Sequence, residues 1–165
     1  MFAAVCLAAM IVSYTVCICA VGSAYADNLS VSSLIKDNTL ILQCMVIMGL
    51  FTLLYEWSRD NILSLLTIGC LLFTLYGLLL IDESYAIHYL FATGTITSIN
   101  AFMWIHAHSW IAWMSTFAQT GLSLIIGHKL LTGLESIFFE EVTVIALFAA
   151  YYLGDYLSTC TFYKQ

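Results

Sequence analysis

Residues 82–108 read DESYAIHYLFATGTITSINAFMWIHAH, and the fold follows from how this stretch is interpreted. It opens on Asp82-Glu83, carries His88 near its start and closes on His106-Ala107-His108. Between the charged opening and the closing histidines lie about twenty residues without Lys, Arg, Asp, Glu or Pro. At ~1.5 Å rise per residue, that is enough to cross a bilayer as a helix. Wound at about 100° per residue, Thr93, Gly94, Thr97, Ser98, Asn100 and Ala101 gather into one arc, and Phe91, Ile96, Ile99, Phe102 and Met103 fall mostly outside it. Small residues allow close backbone approach and polar groups in hydrocarbon seek partners, so the small arc is expected to face other helices and the bulky arc to face lipid.

The rest of the chain has the same character. Of 165 residues, 62% are hydrophobic and only 8% charged, against roughly 25% charged in a soluble domain. The expected class is all-α, a polytopic transmembrane helix bundle forming one integral membrane domain over residues 1–165. The net charge of −6, from 4 basic and 10 acidic residues, excludes nucleic acid and a polybasic lipid-binding tail. Six cysteines occur without a C-x-x-C spacing, which fits buried small hydrophobes better than a disulfide frame or a zinc site. Proline is absent, so nothing marks the broken helices that many transporters use.

Six apolar runs are expected as spans, at about residues 2–21, 39–55, 62–81, 86–105, 110–131 and 139–157. The first ends in Ala24-Tyr25-Ala26, a small-x-small pattern that a signal peptidase reads. Its lack of a basic start and its excess length favour a retained helix, with five spans as the alternative if it is cleaved. Residues 27–38 are expected to form a loop, in which Asn28 is a glycosylation candidate if that loop is lumenal. Small residues recur at helical spacing along Ser123 and Gly127 and again along Ala146, Ala150 and Gly154. With Gly94, Ser98 and Ala101 they are the expected helix-packing positions.

An even span count puts both termini on one face, with Arg59 and the His106–His108 turn. The opposite, acidic rim gathers Asp82, Glu83, His88, His128 and Glu141. Carboxylates and imidazoles at one depth can hold a cation or work on a lipid head group, although a solvated row of helix ends has the same composition. The charges are expected at the ends of the runs, with Glu141 just inside the last one, where a helix N-terminus favours a carboxylate. His88 and His128 are the one pair that would suit a bis-histidine haem. No catalytic residue, metal site or cofactor is expected.

From Asn61 to Trp104 the chain shows a helix rich in small and apolar residues, a brief polar turn over residues 82–84, then His88 and Gly94. Glu141 precedes the aromatic residues Phe148, Tyr151 and Tyr152. In these features it resembles the six-span damage-regulated autophagy modulators and the related proteins of glycosylphosphatidylinositol-anchor remodelling and plasma-membrane lipid asymmetry. The resemblance covers about a third of the chain. It implies a non-enzymatic, multi-pass protein of an endomembrane or organelle membrane, of modulator or lipid-organising type, with membrane lipids as partners. An accessory subunit packed in a larger membrane complex is the alternative. A membrane cytochrome or lipid-modifying enzyme using the acidic-rim histidines is the second.

Overall fold

The computed structural model describes residues 2–25, 30–82, 84–132 and 136–162, with the side chains of all but 37 and 159–162. The described residues are helical with no strand: α1 (Phe2–Ser23), α2 (Val31–Asp37), α3 (Thr39–Trp57), α4 (Ile62–Leu80), α5 (Ala86–His106), α6 (Trp110–Thr132) and α7 (Phe138–Phe162). Three of them, α1, α3 and α4, are long and apolar enough to cross a membrane. Asn28 and Glu83 lie outside the described residues.

Several helix starts are set by side chains that satisfy otherwise unpaired backbone N–H groups. Asn38 Oδ1 accepts from the N–H groups of Leu40 (3.1 Å) and Ile41 (3.4 Å). Asn61 Oδ1 does the same for Leu63 (3.1 Å) and Ser64 (3.2 Å) at the start of α4, and Ser109 Oγ accepts from Ala112 N–H at 3.0 Å in α6. The turn between α3 and α4 places Asp60 at φ 53°, a left-handed conformation that Asp tolerates better than most residues.

α2 corrects the expected loop over residues 27–38. Val31, Leu34 and Ile35 are buried at helical spacing, and Ser30 Oγ caps the helix by accepting from Ser33 N–H at 3.0 Å. This short helix packs against α3, α4 and α7. The longer helices pair most closely as α1 with α3, α4 with α5, and α6 with α7, and α1 also lies against α7. Tyr25, just after α1, packs its ring at a tilt against Phe138 at the start of α7, with centroids 4.7 Å apart, so these two helices run antiparallel.

The facing of α5 follows the expectation only in part: Gly94 meets Thr74 of α4 and Asn100 bonds to Ser123 of α6, but the rest of the two arcs is exchanged. Ile99, Phe102 and Met103 are buried, whereas Thr93, Thr97 and Ala101 are exposed. The hydroxyls have no need of another helix. Thr93 Oγ1 donates to Tyr89 O at 2.9 Å and Thr97 Oγ1 to Thr93 O at 2.8 Å, within their own helix. Phe102 fills the bundle centre instead, with its ring centroid 5.6 Å from Phe148, 5.7 Å from Tyr151 and 5.8 Å from Tyr152.

Candidate functional site

Between the α4–α5 pair and the helices α3 and α7 the packing opens into a cavity of about 550 Å³, within the ~300–1,000 Å³ range of small-molecule sites. Its walls are aliphatic: Met45 and Met48 from α3, Leu72 and Leu75 from α4, Ile96 from α5 and Val144 from α7. Space is left because Gly49, Ala92 and Thr95 present little bulk along the same walls. The inner end reaches Tyr14 and Thr52. Thr52 Oγ1 donates to Met48 O at 2.8 Å, so the Tyr14 hydroxyl, 3.2 Å away, is the donor of the bond between them.

The other end lies at the acidic rim and is polar. Ser30, Ser32, His88, Lys129, Ser136 and Glu141 line it. Lys129 Nζ donates to Ser136 O at 3.3 Å and forms an ion pair with Glu140. Glu141 Oε2 accepts from Val31 N–H at 2.5 Å, holding the start of α2 against α7. His88 is 5% exposed, and its Nδ1–H donates to Ile81 O at 2.9 Å, which leaves Nε2 as the acceptor of the neutral ring. A long apolar slot with hydroxyls, an ammonium and a carboxylate at one end is complementary to an amphiphile.

The expected rim residues are thus only partly gathered. His88 and Glu141 line the same cavity, but each is held by a backbone group. Asp82 is exposed and ion-paired to Lys36 at 3.3 Å. The Ser84 N–H, donating at 2.9 Å, and then Lys36 hold its carboxyl below the usual aspartate range. His128 is exposed and is not part of the cavity wall.

The packing positions divide in the same way. A Cβ on Gly94 would lie 3.0 Å from Thr74 Cγ2, and one on Gly154 only 2.5 Å from Ile111 Cβ, so both glycines permit close approach. Ser123 accepts from Asn100 Nδ2 at 2.8 Å across α5 and α6. Gly127 has nothing within 4 Å of a built Cβ, Ser98 and Ala150 are half-buried, and Ala101 and Ala146 are exposed.

At the opposite rim a charged cluster was not foreseen. Glu56 and Asp155 are buried on either side of Arg59, whose Nη1 lies 2.8 Å from Asp155 Oδ2 and 3.8 Å from Glu56 Oε1. Asp155 stands two residues before the expected end of the last run at 157, and so keeps to a run's end, although α7 continues to Phe162. Ser64 Oγ donates to Glu56 Oε2. Sequence offered one hint, a carboxylate within an apolar run, since such a group in a bundle needs a cationic partner.

No family model, curated protein or solved structure matches the chain.

Proposed function

We propose that this is a non-enzymatic, six-span integral membrane protein, with α1 and α3 to α7 as its spans, that holds the chain of a membrane amphiphile in the cavity. The observation that carries this reading is the cavity's polarity: aliphatic along its length, with Ser30, Ser32, His88, Lys129 and Glu141 at its rim. The outward surface supports it, because Leu66, Phe73, Trp110, Leu124 and other large apolar side chains are exposed, as a lipid-facing belt requires. The resemblance to autophagy modulators and lipid-remodelling proteins points in the same direction. Lipid organisation is then a matter of sequestering one chain rather than of chemistry.

The test is the lipid retained by protein purified in mild detergent and counted by mass spectrometry. Wild type is expected to keep about one amphiphile per chain, as one cavity of small-molecule size implies. Ala92→Trp, which fills the cavity, is expected to lose it, and Leu66→Trp, on the outer surface, to keep it. Equal retention by all three proteins would overturn the reading.

A further inference from the structure

We propose that Glu56 is a proton-binding site, the carboxyl that neutralises the charge cluster formed with Arg59 and Asp155. Among the described residues the cluster holds two carboxylates and one guanidinium, which sum to a single negative charge. Isolated charge in a low-dielectric interior is costly, and one bound cation removes it. The geometry assigns that cation to Glu56. Asp155 has the closer contact with the guanidinium, 2.8 Å against 3.8 Å, and is the carboxylate that Arg59 pairs with. Glu56 is fully buried. Its Oε2 accepts from Ser64, while its Oε1 has no hydrogen-bond partner. Oε1, which has Arg59 Nη1 no nearer than 3.8 Å, is the oxygen placed to carry a proton. A second, independent feature is the Tyr152 hydroxyl, fully buried, interacting with Glu56 and without a hydrogen bond of full geometry. It is positioned to act as acceptor for a Glu56 O–H or as donor to the ionised form.

A metal ion fits the cluster less well than a proton. The Arg59 guanidinium occupies the space between the carboxylates, and among the described residues no three His, Cys, Asp or Glu side chains gather closely enough to hold one. Among the described residues, the other titratable groups facing the cluster are few. α1 contributes Tyr14, α3 its own Tyr55 and α5 His106. α7 contributes Tyr151, Tyr152 and Tyr156, and His108 lies beyond His106 in the following turn. His106 is the one rival, since a charged imidazole would supply the missing positive charge. Its Nε2 is 3.3 Å from Thr67 Oγ1.

Release breaks the Glu56 O–H bond, passes the proton to water at the rim where the Arg59 side chain is 25% exposed, and leaves one negative charge behind. Tyr14, at the inner end of the cavity, lies within electrostatic reach of Glu56 and Tyr152, so the proton sits close to the amphiphile's far end.

The experiment is difference infrared spectroscopy of the full chain in lipid nanodiscs, titrated between about pH 4 and pH 9, a range that brackets ordinary carboxylate and histidine titration. A protonated-carboxyl band equivalent to one group per chain is expected at neutral pH, and Glu56→Gln should abolish it. Asp155→Asn should abolish it too, because removal of one carboxylate lets Glu56 ionise against Arg59. Asp82→Asn, at the exposed ion pair on the other rim, and His106→Gln should retain it. Absence of the band in folded wild type, its persistence in Glu56→Gln, or its persistence in folded Asp155→Asn would overturn the assignment. So would its absence from wild type with appearance only in His106→Gln, which would place the charge on the imidazole.

Discussion

Gly154 and Gly121 make opposite cases from the same amino acid. A Cβ on Gly154 meets Ile111 at 2.5 Å and the backbone nitrogen of Ala112 at 3.2 Å, whereas one on Gly121 meets nothing within 4 Å. Gly154→Leu is therefore expected to destabilise by about 1–3 kcal/mol through forced repacking. Gly121→Ala should stabilise α6 by up to about 1 kcal/mol through helix propensity, and thermal melts of both variants in one detergent check the pair. Asp82 gives a pH-dependent case. Its carboxyl is held below the usual range by Ser84 N–H and Lys36, so its contribution is present above the unfolded-state value and is lost as pH falls through the lower folded one. Melts in acid at low salt should show a weak dependence that Asp82→Asn removes, and added salt should suppress it because the pair is exposed.

The contact between α5 and α6 rests on a polar relay rather than on interlocking small residues. Asn100 Nδ2 donates to Ser123 Oγ at 2.8 Å, Thr120 Oγ1 donates to Asn100 Oδ1 at 3.2 Å, and Trp104 Nε1 donates to Thr120 Oγ1 at 3.0 Å. A double-mutant cycle of Asn100→Ala and Ser123→Ala is expected to give a coupling of about 0.6 kcal/mol, typical of such bonds between membrane helices. Additive losses would mean the bond contributes nothing. Helix extents were largely legible in the sequence, since α4 and α5 lie within a residue of the apolar runs that predict them. The facing of α5 was not legible. Threonines that bond to their own helix look, in sequence, the same as threonines that bridge two helices. α2 is not legible although Val31, Leu34 and Ile35 carry helical spacing, because its 7 residues are too few for periodicity to stand out among serines.

The cavity was beyond sequence reasoning, because it depends on where three helix pairs diverge. Legible were two of its polar residues, His88 and Glu141; what could not be read was that the start of α2 would bring Ser30 and Ser32, and the end of α6 Lys129, to the same opening. Asp155 and Arg59 lie far apart in sequence, and no local pattern pairs them. If the cavity holds an amphiphile, added lipid should raise the melting temperature of delipidated wild type by mass action. Ala92→Phe should remove that gain, because filling the space makes the lipid redundant.

The neighbouring placement of α1 and α7 has a consequence for biosynthesis. The inward stripe of α1, with Met10, Tyr14, Cys17 and Val21, reaches its final environment only once a helix made at the other end of the chain arrives. The backbone of Val31 likewise waits for Glu141, 110 residues later. Until α7 is made, the parts of α1 and α2 that pack against it stay unmatched. Closure of this part of the bundle therefore waits on α7, and a nascent chain stopped before α7 should be held by chaperones and degraded rather than accumulate as a partial bundle.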